Sequence, residues 1–184
     1  RDENKKIKNG EIPEEWEKPE NKSKLAQKDT DADWTKKNGE RHFGYKYHVK
    51  CDADSKLITN YSVTSASVHD SQRCLEFIGQ ENEVLYADSA YSGKPIALAL
   101  PENCKNQICE KGYRNSPLTS EQKMNNRRKS RIRCRIEHIF GFMTGAMHGI
   151  TIRSIGITRA WMNIGITNLV YNFCRYSYLK RASA

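Results

Sequence analysis

Two acidic residues, Asp88 and Glu137, have the surroundings expected of metal-binding carboxylates. Asp88 follows the short apolar run at 84–87, which predicts a buried strand whose carboxyl end presents this residue. Ligands gather at the carboxyl ends of strands in open α/β sheets. Because Ser89 and Gly93 follow, Asp88 could equally cap a turn, and that alternative stays open.

Glu137 lies within a long helical pattern whose apolar stripe consists of Ile132, Ile136, Ile139, Phe140 and Met143. At about 100° per residue, Glu137 falls at the border of this stripe, and Arg133 precedes it by one turn. An ordinary i, i+4 ion pair on a basic helix is the alternative interpretation.

Carboxylate oxygens are the ligands that Mg²⁺ prefers. Two divalent ions about 3.5 to 4 Å apart can activate a water or a 3′-hydroxyl and stabilise the leaving oxygen of a phosphodiester. Two carboxylates are one short of such a site, so this chemistry needs a third Asp.

The positive charge is concentrated in the second half of the chain. The protein has 31 Lys and Arg against 22 Asp and Glu, a net charge of +9, and after position 100 it has 15 basic and 4 acidic residues. Residues 127–135 (RRKSRIRCR) contain six basic side chains in nine positions. This excess predicts an anionic partner, although a solvated helix face would have the same composition.

Length and composition exclude several classes of protein. A chain of 184 residues indicates one domain with at most a small appendage. No apolar run approaches the roughly 18 residues of a membrane span, and no signal segment opens the chain. The start at Arg1 predicts a fragment or a processed product. The six cysteines lack the C-x2-C spacing of a zinc site, so we expect reduced thiols, a cytoplasmic location and no membrane partner.

The elements that would position the two carboxylates follow a mixed α/β order. Residues 1–41 are predicted to form a polar, largely irregular or disordered arm, and residues 42–180 a folded domain. Alternation at 43–51 and 57–65 predicts an antiparallel hairpin, with His48 on its polar side. Further predictions are a short helix capped by Asp70, strands at 84–88 and 107–110, a helix at 94–100, a capping box of Thr119 with Gln122 before the basic helix, and a last helix at about 158–179 that buries Trp161, Ile164, Leu169 and Phe173.

These motifs together resemble the DDE-class transposases of bacterial insertion sequences. The likeness covers roughly residues 28–175. The segments that carry it are DADWTKKNG at 31–39 with YKYH at 45–48, SVHDS at 67–71, YADSAY at 86–91 and RCRIEHIFGFM at 133–143. The resemblance implies the C-terminal part of an RNase H-like catalytic domain, a mixed sheet flanked by helices. It makes Asp88 the second catalytic Asp and Glu137 the catalytic Glu.

The resemblance also implies cofactors and partners. Asp88 and Glu137 would hold Mg²⁺ or Mn²⁺ and act in cleavage and strand transfer at the ends of an insertion sequence. The partners would be double-stranded DNA, from the element ends and the target, and a second copy of the protein on that DNA, in the bacterial cytoplasm at the nucleoid. The predicted DNA-binding residues are Arg127, Arg128, Lys129, Arg131, Arg133, Arg135 and His138.

The chain departs from the family pattern at several positions. Ser130 and Thr144 stand where the family's last motif commonly has Tyr and Lys. The first catalytic Asp, on a Val-Asp-Ala-Thr-like first strand, has no counterpart, and Asp29, Asp31, Asp33 and Asp52 are not credible replacements. In an RNase H-like sheet that strand is central, so we expect these residues alone to be poorly stable and inactive. The alternative is a non-catalytic, basic DNA-binding remnant of a decayed transposase.

Overall fold

The computed structural model describes residues 6–37, 39–79 and 84–183. Its helices are α1 (Glu14–Glu17), α2 (Lys22–Ala26), α3 (Ser71–Cys74), α4 (Lys94–Ala99), α5 (Ser120–Arg133), α6 (Arg135–Gly145) and α7 (Ile157–Ala182). The strands are β1 (Asp33–Lys37), β2 (Glu40–Cys51), β3 (Ile58–Ser65), β4 (Val84–Leu85) and β5 (Lys105–Asn106). Short 3₁₀ turns lie at Pro19–Asn21, Leu75–Phe77 and Ser89–Tyr91. The predicted mixed α/β class is confirmed.

The strands form two sheets. In the first, the order is β1-β2-β3, and β1 pairs antiparallel with β2 from Asp33 opposite Gly44 to Lys37 opposite Glu40. The second consists of β4 and β5, which run parallel. Backbone hydrogen bonds continue beyond this second pair, since Cys109 N–H donates to the oxygen of Ala87 at 3.0 Å. β4 and β5 are thus shorter than the predicted strands at 84–88 and 107–110, and β5 starts two residues before the second one, although the parallel hydrogen bonding continues into both predicted ranges.

The predicted hairpin is present as β2 and β3. Asp52 N–H donates to Leu57 O at 2.9 Å, and Ala66 N–H donates to Gly44 O at 3.1 Å. Residue 52 thus pairs with residue 57 and residue 44 with residue 66, as in an antiparallel hairpin. The side chain of His48 is buried, which contradicts its predicted place on the polar side of the hairpin.

The chain divides into two compact units. The first consists of Arg1–Tyr47, Val63–Val68 and Thr151–Ile166, and its buried residues include Trp16, Ala32, Val63 and Ile164. The second consists of His48–Ser62, His69–Ile150 and Thr167–Ala184. Its core includes a cluster of Cys74, Ile96 and Ile108, together with Ile139 and Met143 on α6.

The N-terminal stretch, predicted to be polar and largely irregular, contains α1, α2 and β1 within the described residues, while residues 1–5 and 38 lie outside them. Asp29 organises this region. Its carboxylate accepts hydrogen bonds from Asp31 N–H, Ala32 N–H, Gly156 N–H (each 3.2 Å) and the Tyr45 hydroxyl (2.6 Å). The division at residue 41 stays a prediction.

The long helix predicted before and after Glu137 is two helices that meet at Cys134. At this junction Glu137 N–H donates to Cys134 O at 3.0 Å, an i to i−3 bond. The Cys134 thiol donates to Arg131 O at 3.2 Å, the acceptor that a continuous helix would offer to residue 135. The capping box of Thr119 with Gln122 is confirmed, with both reciprocal hydrogen bonds formed.

The last helix buries a different face from the one predicted. Ile164 is buried as expected, but Trp161, Leu169 and Phe173 are 41%, 55% and 63% exposed. The buried positions are Ala160, Ile164, Asn168 and Tyr171, spaced by four, four and three residues. Tyr171 belongs to this face because its hydroxyl makes a polar contact, described next, that fixes the helix.

The turn between β2 and β3 receives side chains from two helices. The Tyr171 hydroxyl donates to Lys56 O at 3.0 Å, and Arg175 Nε donates to Ser55 O at 2.6 Å, both from α7. Arg135 of α6 donates to Ala53 O. The turn thereby holds the start of α6, two residues before Glu137.

No helix in the ranges that the structure describes is both long enough and apolar enough to cross a membrane.

Candidate functional site

Asp88 lies just after β4 and caps the 3₁₀ turn Ser89–Tyr91. Its Oδ1 accepts from Ala90 N–H at 2.6 Å. The capping role considered from the sequence is thus present, and it fixes the orientation of the carboxylate. Asp88 is exposed, and Oδ2 has no hydrogen-bond partner in the part of the chain that the structure describes. One carboxylate oxygen therefore remains available to a ligand.

The phenol of Tyr91 lies within electrostatic reach of two carboxylates, Asp70 and Asp88. Burial, and then the negative charges of Asp70 and Asp88, raise the pKa of Tyr91 to about 12, so its hydroxyl stays protonated at neutral pH. Asp70 is the N-cap residue of α3, but its side chain makes no capping hydrogen bond; its Oδ1 lies 3.9 Å from Nδ1 of the buried His48. The predicted helix is present, and the predicted side-chain cap is not.

Glu137 occupies the first turn of α6, where a negative charge is favoured by the helix dipole. Its side chain is 59% exposed, and Oε1 lies 3.1 Å from Nη1 of Arg133, the last residue of α5. Ile139 and Met143, on the same helix, are buried and hold α6 in the core. The ion pair expected from the spacing is formed, so the candidate metal ligand Glu137 is paired with the guanidinium group of Arg133.

A short series of contacts links the two carboxylates within the second unit. Ala87, next to Asp88, accepts the backbone hydrogen bond of Cys109 at 3.0 Å. The Cys109 sulfur lies 3.8 Å from the Ser130 hydroxyl, and Ser130 precedes Arg133 by less than one helical turn. Within the described residues no group of three His, Cys, Asp or Glu side chains could hold a metal ion. Two carboxylates fit a hard divalent cation in chemistry but do not complete its ligand set.

The predicted DNA-binding residues fall into two sets. Four have protein partners: Lys129 donates to Ile108 O (3.0 Å), Arg133 pairs with Glu137, Arg135 pairs with Asp54 (2.9 Å), and His138 Nδ1 lies 3.1 Å from Lys56 Nζ. The side chains of Arg127, Arg128 and Arg131 have none in the described ranges, and all three are exposed. Only this second set is free to contact an anion.

Comparison with known sequences decides the family. Residues 13–173 match the family described as the Transposase DDE domain. The chain belongs to this family. A curated relative of this transposase, the transposase for insertion sequence element IS1106 from Neisseria meningitidis serogroup B, is 33% identical over 117 residues. The match covers 62% of the chain and 40% of the relative, so the chain spans less than half of that protein's length.

No solved structure matches this DDE transposase chain. DDE transposase domains generally use divalent metal ions. The carboxylates of Asp88 and Glu137 supply oxygen atoms, the kind of donor that such ions bind. The described residues supply no third ligand beside them.

Sequence reasoning missed two residues of the basic helix α5. Lys123 lies outside the dense basic run, yet it shares a helix face with Arg127 and Arg131. Asn126 was not singled out, although its amide pairs with both backbone groups of Glu110, at 2.9 and 3.0 Å. Counting cations at a spacing of four would have found Lys123. Nothing in the sequence pattern indicated Asn126.

Proposed function

We propose that this chain is part of a DNA transposase that cleaves and joins phosphodiester bonds at insertion-sequence ends, with Asp88 and Glu137 as metal ligands. The match to the DDE family over residues 13–173 carries the proposal. Two features of the site support it: Asp88 keeps one oxygen free, and Glu137 is exposed at a helix start. We further propose an RNase H-like sheet lacking its first strand, for residues 42–180, and a homodimer on DNA in the cytoplasm at the nucleoid.

The protein's own residues would prepare the site in two ways. The Ala90 N–H fixes the Asp88 carboxylate through Oδ1 and leaves Oδ2 for a metal ion. Arg133 holds the Glu137 carboxylate at the start of α6 and would have to release it, or share it, when the carboxylate binds a cation. When bound, Mg²⁺ or Mn²⁺ would activate the attacking oxygen and stabilise the leaving oxygen. A third acidic ligand is required, and we expect the 184 residues alone to be inactive.

The decisive experiment compares variants of a complete transposase that contains these residues. Asp88→Ala and Glu137→Ala should each abolish Mg²⁺-dependent cleavage of element ends, while salt-sensitive DNA binding remains. Glu121→Ala is the matched control for Glu137→Ala, because Glu121 is also an exposed acidic residue in the first turn of a helix. Cleavage preserved in either site variant would remove the assignment.

A non-catalytic, basic DNA-binding remnant is the second candidate. The three arginines of α5 that have no partner in the described ranges, together with the incomplete ligand set of those ranges, favour it. DNA binding without cleavage by the complete protein, under Mg²⁺ and Mn²⁺, would support the remnant. A Val-Asp-Ala-Thr-like strand encoded upstream of these residues would support the enzyme.

A further inference from the structure

Three cations form a continuous stripe on α5. Lys123, Arg127 and Arg131 are spaced by four residues, which places them about 6 Å apart along the helix axis and about 12 Å from first to last. All three are exposed, and none of their side chains has a hydrogen bond or ion pair within the described residues. We call these three residues the α5 stripe.

A neighbouring face of α5 is fixed to the rest of its unit. Asn126 pairs with the N–H and the oxygen of Glu110, and Lys129 donates to Ile108 O. Lys129 Nζ also lies 3.8 Å from the Glu110 carboxylate. These contacts anchor the helix, so the α5 stripe stands on a rigid element.

The surface beside the stripe is open and concave. A shallow groove there is lined by the three stripe residues and, among others, by Leu118, Ser130 and Cys134. Between residues 122 and 136 the sequence has no acidic residue, and between 114 and 139 it has no aromatic residue. Proteins that bind unpaired bases stack them on aromatic side chains, and none of the described residues that line the groove is aromatic.

We propose that the α5 stripe binds the phosphate backbone of double-stranded DNA without reading its sequence. This inference rests on the proposed function, in which DNA is the substrate. It identifies the residues that bind the DNA. A length of about 12 Å corresponds to roughly three or four phosphates at 3.4 Å per nucleotide of one strand. Four other residues in or next to the basic run have a structural role instead, because their side chains contact other residues of the protein. They are Lys129, Arg133, Arg135 and His138.

The test is the salt dependence of duplex binding. The triple variant Lys123→Gln, Arg127→Gln, Arg131→Gln keeps residues of good helix propensity and removes three charges. The control Lys94→Gln, Arg114→Gln, Arg153→Gln removes one Lys and two Arg that are also exposed. Both are compared with the unchanged protein, each within a complete transposase that contains these residues, by fluorescence anisotropy on a duplex oligonucleotide between 50 and 200 mM salt, after circular dichroism confirms equal helix content.

Each lost phosphate contact lowers the slope of log K against log salt by about 0.9. We expect the stripe variant to lose about 2.7 of that slope and to bind at least on the order of tenfold more weakly at the same salt, and the control to lose much less. Two duplexes of unrelated sequence should be affected equally. An equal slope change in the control, or weakening confined to one duplex sequence, would overturn the inference.

Two further outcomes separate the possible partners and the proposals. Polyglutamate that competes as strongly as duplex DNA would indicate an acidic protein partner and overturn the assignment to DNA. In a complete transposase, the stripe variant should weaken binding, whereas Asp88→Ala and Glu137→Ala should leave it intact. If Asp88 and Glu137 prove unnecessary for cleavage, the assignment of DNA binding to the α5 stripe is unaffected. If the stripe proves unnecessary for binding, the assignment of Asp88 and Glu137 to cleavage is likewise unaffected.

Discussion

Arg133 and Glu137 face each other across the break between two helices, with Nη1 3.1 Å from Oε1. Arg133 ends α5, and Glu137 lies in the first turn of α6. The pair therefore spans the junction at Cys134, and the basic helix that would meet DNA also orients the acidic residue that would bind metal. Since the Glu137 side chain is more than half exposed, solvent screens the pair, and we expect its role to be orientation more than stability.

The first prediction concerns this pair. Arg133→Ala should lower the free energy of unfolding by no more than about 0.5 kcal/mol, because exposed i, i+4 pairs contribute about 0.3 to 0.5 kcal/mol. Equilibrium urea unfolding of the variant and of the unchanged protein, each within a complete transposase that contains these residues, measures the difference. A loss above about 1 kcal/mol would show that Arg133 has a structural role beyond the pair.

The second prediction concerns the docking of α7 on β3. The side-chain amide of Asn172 accepts from Ile58 N–H and donates to Ile58 O, both at 2.9 Å. Because each hydrogen bond makes a net contribution of about 0.5 to 1.5 kcal/mol, Asn172→Ala should lower the free energy of unfolding by roughly 1 to 3 kcal/mol. Urea unfolding measures it, with the exposed Asn115→Ala as control, expected within about 0.5 kcal/mol of the parent. Equal effects at both positions would contradict the docking role.

The third prediction concerns the Asp29 carboxylate. It accepts three backbone N–H groups and the Tyr45 hydroxyl. Burial and the Asp29 charge raise the pKa of Tyr45, so the phenol remains a donor. Asp29→Ala should cost roughly 2 to 4 kcal/mol and Tyr45→Phe about 1 to 2 kcal/mol.

A double-mutant cycle tests that assignment. If the two groups act through one hydrogen bond, the double variant is less destabilised than the sum of the single variants. Additive effects would show that Asp29 and Tyr45 stabilise the protein independently.

The fourth prediction is a dependence on acid at the β2–β3 turn. The Ser55 hydroxyl donates to the Asp52 carboxylate at 2.6 Å, and this bond lowers the pKa of Asp52 below its usual value. A carboxyl group with a lowered folded-state pKa stabilises the protein above its unfolded pKa of about 3.9 and loses that contribution as the pH falls through the folded value.

NMR titration of Asp52 and acid unfolding test this relationship. Ser55→Ala should raise the pKa of Asp52 toward its ordinary value and reduce the loss of stability below about pH 4. Asp52→Asn should remove that part of the loss. A titration midpoint of Asp52 at or above the ordinary value in the unchanged chain would contradict the prediction.

Local signals in the sequence predicted local structure well. The alternation of residues 43–51 and 57–65 predicted the hairpin, and Thr119 with Gln122 predicted the helix start, because each depends on neighbours a few residues apart. The family resemblance, carried by motifs of this length, was confirmed by the match over residues 13–173.

Features set by distant contacts were not predictable in this way. The buried face of α7 follows from Tyr171 and Asn172 bonding to Lys56 and Ile58, more than 110 residues away. At the break, the Cys134 thiol donates to Arg131 O, a contact that the apolar pattern of the sequence does not indicate. Some basic residues have partners in the protein and others have none in the described ranges. This division depends on which groups lie close together in space, and amino-acid composition gives no information about that. The roles of Asp88 and Glu137 stay predictions.

The β2–β3 turn has a practical consequence for engineering this protein. A surface hairpin loop of six residues, here 52–57, is the kind of place where an epitope or a fluorescent domain is usually inserted. Here the oxygens of Ala53, Ser55 and Lys56 are acceptors for side chains of α6 and α7, so lengthening the loop would detach both helices. The exposed turn at 113–116, closed by its own pair of backbone hydrogen bonds, is the better position for a tag.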